Sequence, residues 1–164
     1  MAAVSCAAGA AVCDISAINE QSAAEVFSAC TEAAEAGDTS AELNLAYIYA
    51  IGKKYSDAAK WFRRAADHGS ADAEYLLGTL YLEGKGVTKS PGEAARWFRN
   101  AAEQGHAGAE YSLGTLYAGG LGVGKSPAEA ARWYRKAAEQ GSAEAENNLG
   151  QAYCEGSRGP AELQ

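Results

Sequence analysis

Apolar and polar residues follow a helical period along most of the chain, and glycine and proline residues divide it into short helices. Between Ala71 and Glu83 the apolar residues recur at three- and four-residue spacing and form one stripe: Ala73, Leu77, Leu80 and Tyr81. Gly84 offers the backbone freedom that a helix end often needs, so this helix, helix A, is predicted to end there. Helix B is predicted to begin at Ser90-Pro91-Gly92-Glu93, a capping box with proline in its first turn, and to close at Gly105. No pattern typical of a β-strand occurs in the sequence.

This pair of helices is repeated along the chain. The stretch 73–105 recurs with few changes at 109–141, and the tryptophans stand 36 residues apart, at Trp61, Trp97 and Trp133. A repeat of this length is typical of a stacked solenoid. We therefore predict an all-α fold, a superhelical solenoid of helix-turn-helix repeats in which each unit contacts only its neighbours.

The two ends of the chain differ from the repeated unit. Residues 1–36 are predicted to form an irregular cap whose last part, 20–36, is a degenerate helix B. The array is predicted to cover 37–164, in units that start near 37, 69, 105 and 141. The last unit is incomplete, because Gly159–Leu163 only opens its helix B. We therefore expect either that the sequence is a fragment of a longer array or that another chain covers the open end, for instance by end-to-end self-association.

The repeated residues resemble the signature of the Sel-one-like repeat (SLR) family, a relative of the tetratricopeptide repeats. The second copy matches it at Leu77, Gly78, Tyr81, Gly84, Gly86, Val87, Ala94, Trp97, Ala101, Ala102 and Gly105, and the third copy matches it from Leu113 to Gly141. The resemblance implies a right-handed α/α superhelix that serves as a scaffold or adaptor for protein–protein interaction, often in exported bacterial proteins. The first copy departs from the family, since Ala46 replaces the glycine and a four-residue deletion removes the Gly-x-Gly-Val loop.

The side of helix A opposite its apolar stripe is the predicted binding surface. Stacked units would turn this side into a concave groove, in which tyrosine and threonine recur without an evident packing need. Tyrosine suits peptide or protein recognition because it combines a large apolar ring with a hydrogen-bonding tip. The alternative is that these rings only stack on each other along the inner wall. The predicted partner-binding residues are Leu43, Asn44, Tyr47, Asp72, Tyr75, Thr79, Tyr111, Thr115, Asn147, Asn148 and Gln151.

Charge and hydropathy exclude other classes of partner. The formal net charge is −7, and seven acids but no Lys or Arg precede Lys53, so the basic surface typical of nucleic-acid binding is not expected. No apolar run is long enough to span a bilayer. The Ala-rich residues 2–12 lack the basic start of a secretory signal but are compatible with the remnant of one. The resemblance favours an exported or periplasmic bacterial location over a cytoplasmic one.

One segment matches a nucleotide-binding motif. Gly119–Ser126 reads G-x-x-x-x-G-K-S, the phosphate-cradling P-loop. That motif needs a β-strand before it, whereas a helix is predicted here, so we expect no nucleotide site. No residues are spaced for a metal site or for the commonest serine hydrolases, and we predict a non-catalytic protein without a cofactor.

The remaining candidates for a catalytic function are the two histidines and an activity that the family resemblance implies. His68 and His106 stand beside the glycine that ends helix B, and we expect them to stabilise that C-terminus rather than to catalyse. Some cysteine-rich relatives of the SLR family are linked to β-lactam binding or hydrolysis. A β-lactam-binding or weakly hydrolytic enzyme is therefore the alternative function that the resemblance implies.

The outer helices carry regularly spaced basic residues, at Lys60, Arg96 and Arg132 and one turn later at Arg63, Arg99 and Arg135. These could attract an acidic partner. Acids stand three or four residues away, in the pairs Glu93–Arg96, Arg99–Glu103, Glu129–Arg132 and Arg135–Glu139. Such spacing favours ordinary surface ion pairs on a solvated face.

Three of the four cysteines, Cys6, Cys13 and Cys30, are crowded into the cap, and Cys154 lies near the other end. A bridge from Cys30 to Cys13 or to Cys6 would fasten the cap and imply an oxidising compartment. Buried reduced thiols fit the sequence equally well. Cysteine-rich relatives carry a pair in each unit, a pattern that this chain lacks.

Overall fold

The computed structural model describes Cys13 and residues 23–157, and this part of the chain contains eight α-helices and no strand. Their bounds are α1 Ala23–Glu35, α2 Thr39–Ile51, α3 Tyr55–Asp67, α4 Ala71–Glu83, α5 Pro91–Glu103, α6 Ala107–Gly119, α7 Pro127–Glu139 and α8 Ala143–Ser157. The predicted all-α fold is confirmed, and helix A of the second copy has the predicted bounds. The A helices are α2, α4, α6 and α8, and the B helices are α3, α5 and α7.

Helix B begins where the sequence predicts, but with half of the predicted capping box. The Ser90 hydroxyl accepts a hydrogen bond from the Glu93 backbone N–H at 3.3 Å, and Ser126 caps α7 in the same way. The return bond is absent, because the Ser90 backbone N–H donates to the Tyr81 carbonyl oxygen at 2.9 Å. The Glu93 carboxylate pairs instead with Arg96. The start of helix B is therefore fastened to the helix A before it.

The units are joined by tryptophans. Each helix packs chiefly against the helices next to it in sequence. Trp97 is 4% exposed and belongs to the same core cluster as Ala59 of α3 and Leu80 of α4. Trp133 is buried to the same extent in the equivalent cluster of the following units. Burial of these large rings at each junction stabilises the stack.

The loop between helix A and helix B touches the preceding unit. Gly86 has φ +70°, and a Cβ atom there would lie 2.2 Å from the carbonyl carbon of Tyr55. Gly122 repeats this geometry against Pro91, also with φ +70° and 2.2 Å. Only glycine allows both the left-handed backbone and so close an approach. The first unit lacks this loop, and Lys53 takes a positive φ of 58° in its shorter connection.

A disulfide fastens the start of the array. Cys13 is bonded to Cys30, and the side-chain amide of Asn44 donates to the Cys13 carbonyl oxygen at 2.9 Å. Of the alternatives that the sequence leaves open, the structure has the Cys13–Cys30 bridge. Cys30 is fully buried beside Val26 and Leu45, so the bridge joins the cap to the core.

Several predictions about the ends fall outside the described residues, namely those on Cys6, the Ala-rich residues 2–12, most of the irregular cap and Gly159–Leu163. The division into a cap at 1–36 and an array at 37–164 therefore stays a prediction, as does end-to-end self-association. Within the described part of the chain, no helix has both the length and the hydropathy that crossing a membrane requires.

Candidate functional site

The eleven residues predicted to line a groove lie on the four A helices. All of them keep solvent exposure, whereas Ala73 and Leu77 of the apolar stripe are fully buried. We call this set the A-helix face. Its exposed members are Asp72, Thr115, Asn147 and Gln151, and its half-buried members are Leu43, Asn44, Tyr47, Tyr75, Thr79, Tyr111 and Asn148.

The tyrosines of the A-helix face pack against aromatic rings of helix B. The pairs are Tyr47–Phe62, Tyr75–Phe98 and Tyr111–Tyr134, with ring centroids 5.7, 5.7 and 5.8 Å apart. The expectation that these tyrosines have no packing role is therefore wrong. The three tyrosines do not stack on one another, because each of them packs against an aromatic ring of helix B in its own unit. The result is a row of tyrosines that are fixed in place and half exposed.

His106 joins two A helices. Its ring stacks on Tyr75 with centroids 4.5 Å apart, and its Nε2 atom lies 3.3 Å from an Asp72 carboxylate oxygen. Its Nδ1 atom accepts a hydrogen bond from the Ala109 backbone N–H at 3.1 Å, which makes His106 the N-cap of α6. The predicted role at the C-terminus of helix B is therefore wrong for His106. Accepting at Nδ1 requires the tautomer with its proton on Nε2, which then points at Asp72.

Several polar side chains of the A-helix face form hydrogen bonds within the protein. The Thr79 and Thr115 hydroxyls donate to the carbonyl oxygens of Tyr75 and Tyr111, each at 3.1 Å. The Asn148 amide donates to the Tyr111 hydroxyl at 3.3 Å, which links α8 to α6. Asn44 holds the cap through Cys13, as described above. Of the three predicted asparagines, Asn44 and Asn148 thus have partners within the protein.

The charge of Asp72 on α4 affects Tyr47 on α2. Burial raises the pKa of the Tyr47 hydroxyl above its ordinary value, and the carboxylate of Asp72 raises it further. Asp72 itself is 63% exposed. The Tyr47 hydroxyl therefore stays protonated at neutral pH and can donate a hydrogen bond.

A buried carboxylate in each of the first three units was not predicted from the sequence. Glu42, Glu74 and Glu110 are buried at equivalent positions of α2, α4 and α6. The side chains of Gln104 and Gln140 donate to Glu74 and Glu110 at 2.7 and 2.8 Å. These bonds tie helix A to the end of helix B in the same unit. The signal was present in the sequence, because an acid follows the first stripe alanine in each copy.

In the first unit, a histidine and an arginine take the place of the glutamine as partners of the buried carboxylate. His68 is the C-cap residue of α3, as its predicted position implies, and its Nδ1 atom lies 2.8 Å from Glu42. An Arg64 nitrogen lies 2.9 Å from the other carboxylate oxygen of Glu42, without the alignment of a hydrogen bond. His68 thus has a structural role as a partner of the buried Glu42 carboxylate.

The basic residues of the outer helices divide into two sets. Arg96 and Arg132 pair with Glu93 and Glu129 at 2.7 and 3.5 Å, as predicted. Arg99 and Arg135 were expected to pair with Glu103 and Glu139, but their guanidinium groups donate to tyrosine hydroxyls of the next helix A instead. The second set therefore joins units rather than facing solvent alone.

The P-loop-like segment lies between two helices. α6 ends at Gly119, and Gly120 takes the left-handed conformation that caps it. The Ser126 backbone N–H donates to the Tyr117 carbonyl oxygen, and the Ser126 hydroxyl caps α7. The helix that precedes this segment occupies the place of the strand that a phosphate-binding P-loop requires.

Comparison with known proteins agrees with the repeats seen in the structure. The Sel1 repeat family model matches residues 39–70, 71–106, 107–142 and 143–162. The sequence matches no curated protein.

Two bacterial proteins of known structure are similar to this chain over most of its length. The chain is similar to c5321, a protective antigen present in uropathogenic Escherichia coli strains that displays an SLR fold, with 35% identity and a TM-score of 0.75 over 84% of this chain and 30% of that one. It is also similar to a Sel1 repeat protein from Oxalobacter formigenes, with 36% identity and a TM-score of 0.74 over 83% of this chain and 59% of the other. The chain thus spans less than two thirds of either relative.

Helicobacter pylori cysteine rich protein B shares the fold alone, with 22% identity and a TM-score of 0.61 over 77% of this chain and 93% of that one. The family match covers four successive repeats, and the helix pairs α2–α3, α4–α5 and α6–α7 coincide with the first three of them. The chain belongs to the Sel1 repeat family.

Proposed function

We propose that this chain is a non-catalytic scaffold that holds a peptide or protein segment along the A-helix face. Sel1 repeat proteins typically serve as scaffolds for protein interaction, which supports the general role. The observation that carries the specific site is the row of half-exposed tyrosines, Tyr47, Tyr75 and Tyr111, each braced by an aromatic ring of helix B. A braced ring loses little conformational entropy when a partner binds, which favours its use as an interface anchor.

The charge of the face indicates the kind of partner. Its eleven residues include one acid, Asp72, and no base, on a chain with a net charge of −7. The exposed polar side chains of Thr115, Asn147 and Gln151 belong to the same face and can hydrogen-bond a peptide backbone. The proposed partner is therefore a neutral or basic segment that contacts several units at once.

The test blocks the face without removing the braced rings. Since Tyr75 and Tyr111 pack against helix B, replacing them would remove ring contacts. Thr115 and Gln151 are exposed, and replacing Thr115 removes only its bonds to the Tyr111 carbonyl and from the Tyr134 hydroxyl. The double variant Thr115→Arg, Gln151→Arg should lose partner capture in affinity purification from the source cell, with an unchanged circular dichroism spectrum. Capture should be compared by quantitative mass spectrometry.

The matched control carries the same added charge elsewhere. Thr88 and Gly124 are exposed in the loops between helix A and helix B, and a side chain at position 124 meets open space. The variant Thr88→Arg, Gly124→Arg should capture the partner as the wild type does. Equal capture by the wild type and the Thr115→Arg, Gln151→Arg variant would contradict the proposed site.

β-Lactam binding or hydrolysis is the enzymatic alternative. The bridge between Cys13 and Cys30 fastens the cap, so it does not reproduce a disulfide in each unit. A nitrocefin turnover assay tests this alternative directly. Turnover above the rate of a heat-denatured sample would contradict the non-catalytic role.

A further inference from the structure

One of the four described A helices begins at a histidine, whereas the others begin at an aspartate or a serine. The side-chain oxygens of Asp38, Ser70 and Ser142 accept from the backbone N–H three residues later, at 2.9, 3.3 and 3.3 Å. At the start of α6 the Nδ1 atom of His106 takes this place and accepts from Ala109 at 3.1 Å. Histidine is the side chain whose charge ordinarily changes between about pH 5 and about pH 8. The cap of α6 is therefore one that a proton can remove.

Protonation of His106 is incompatible with its bond to Ala109. Both ring nitrogens of an imidazolium carry a hydrogen, so the Nδ1 atom changes from an acceptor into a donor. Two N–H groups would then face each other, and the positive end of the α6 dipole also disfavours a cation at this position. The Ala109 N–H keeps its contact with the His106 carbonyl oxygen at 3.0 Å, so the loss is confined to the side-chain cap.

Asp72 on α4 favours the protonated ring. One of its carboxylate oxygens lies 3.3 Å from the Nε2 atom of His106, and among the described residues it is the only carboxylate within ion-pair distance of this ring. Tyr75 of the same helix lies flat against the ring, with centroids 4.5 Å apart, and contributes no charge. The His106 side chain is 20% exposed, so a proton from solvent can reach it.

The other carboxylates of the helices around His106 are engaged elsewhere. Glu74 of α4 accepts from Gln104, and Glu110 of α6 accepts from Gln140. Glu103 in the last turn of α5 is exposed, and its charge acts on Glu74. The balance at the ring therefore lies between the cap of α6, which needs the neutral form, and the α4 carboxylate at Nε2, which favours the charged form.

We propose that His106 makes the A-helix face sensitive to pH. The neutral ring caps α6 and leaves Asp72 as the one charge of the face. As the pH falls from about 8 toward 5, the ring takes up a proton, gives up its bond to Ala109 and pairs with Asp72. The start of α6, which leads to Tyr111, is then held less firmly, and the charge of the face is cancelled. The switch belongs to the free protein, whereas its effect on a bound partner rests on the proposed function.

Nuclear magnetic resonance of the ¹⁵N-labelled full-length protein tests the switch directly. A scalar coupling between the Ala109 amide nitrogen and the His106 Nδ1 atom reports the N–H···N bond. We expect this coupling at about pH 8 and its loss by about pH 5.5, together with the appearance of a hydrogen on Nδ1. A coupling that persists at the lower pH, or one that is absent at the higher pH, would overturn the proposal.

Two variants identify the groups involved. His106→Ser gives α6 the kind of cap that α4 has, so the Ala109 amide signal should no longer move over this pH range. Asp72→Asn keeps the shape of the side chain but removes the charge that favours the proton, so the transition should occur at a lower pH than in the wild type. Glu139→Gln removes the same charge from the exposed last turn of α7 and should leave the midpoint unchanged. Equal midpoints in Asp72→Asn and the wild type would overturn the proposal.

The effect on a partner is measured by affinity purification from the source cell at about pH 7.5 and about pH 5.5. The wild type should capture about two- to fivefold less at the lower pH, the factor to which one exposed charge pair corresponds. His106→Ser should capture equally at both. An equal decrease in the two proteins would overturn the effect on the face. A wild type that captures nothing at about pH 7.5 would contradict the proposed function, and the coupling to Ala109 would still decide the switch.

Discussion

The guanidinium of Arg99 on α5 donates a hydrogen bond of 2.5 Å to the hydroxyl of Tyr117 on α6, so a cation of one unit is held by the next unit. The same contact recurs between Arg63 and Tyr81. In each case the guanidinium also lies about 6 Å from the centre of the tyrosine ring. This repeated bond joins helix B to the following helix A at a position that sequence spacing alone would assign to surface ion pairing.

We expect Tyr117→Phe to lower the free energy of unfolding by about 1 kcal/mol, because it removes the hydroxyl and keeps the ring in place. Urea denaturation followed by tryptophan fluorescence measures this change. Tyr153→Phe is the matched control, since Tyr153 makes the equivalent bond to Arg135 where both residues are exposed. The control should cost less than about 0.5 kcal/mol. Equal losses in the two variants would show that the Arg99–Tyr117 bond does not stabilise the stack.

The loop glycine Gly122 is predicted to be the most sensitive glycine of the third unit. Gly122→Ala should destabilise the protein by at least about 2 kcal/mol, because alanine is disfavoured at positive φ by about 1–2 kcal/mol and its Cβ would also overlap the Pro91 carbonyl. Thermal denaturation by calorimetry measures the loss.

Two other glycines separate the two causes. Gly105 has φ +86° but open space around a Cβ, so Gly105→Ala reports the backbone cost alone. Gly124 has neither a positive φ nor a neighbour within 4 Å, so Gly124→Ala should change stability little. A Gly122→Ala variant no less stable than Gly105→Ala would contradict the close approach of the loop to Pro91.

The Cys13–Cys30 bridge is predicted to stabilise the first unit. It closes a loop with a sequence separation of 17, for which chain-entropy arguments give about 3 kcal/mol. Cys13→Ser should therefore unfold at lower denaturant concentration than the wild type. Reductant should shift the wild type toward the variant and leave the variant unchanged. Cys6→Ser is the control, and a loss as large as that of Cys13→Ser would contradict a bridge that excludes Cys6.

The helices were predictable because their signals are local. The stripe from Ala73 to Tyr81 and the Ser90-Pro91 start each lie within one element, so the period and the caps determine the bounds. The partner of Arg99 was not predictable from spacing. Glu103 is four residues away in sequence, but Tyr117 comes closer once the hairpins stack.

The exposure of the predicted site residues could be predicted from the sequence, whereas their contacts could not. Opposite faces of helix A follow from its period, and the predicted residues are indeed the exposed or half-exposed ones. His106 caps α6 and stacks on Tyr75. These contacts depend on how successive units pack, which the pattern of residues along the sequence does not specify. For the same reason, the bracing of Tyr75 by Phe98 was missed.

The buried carboxylate of Glu74 predicts how stability depends on pH. Burial raises the pKa of Glu74 above its ordinary value, the hydrogen bond from Gln104 partly opposes this, and the charge of Glu103 adds to the increase. Because the folded-state pKa is the higher one, the folded protein binds more protons than the unfolded chain above the ordinary glutamate pKa. The contribution of Glu74 to stability is therefore fully present below that pKa and is lost as the pH rises through the folded-state value.

Glu74→Gln removes this titration and keeps an oxygen that accepts from Gln104. We expect its free energy of unfolding, measured with urea from about pH 4 to about pH 8, to fall less steeply with pH than that of the wild type. At neutral pH the variant should be at least as stable as the wild type, because the amide is not penalised as a buried carboxylate is. Glu32→Gln removes the same charge from an exposed position of α1 and should leave the slope unchanged. Parallel curves for the wild type and Glu74→Gln would show that the carboxylate is not desolvated in the folded chain.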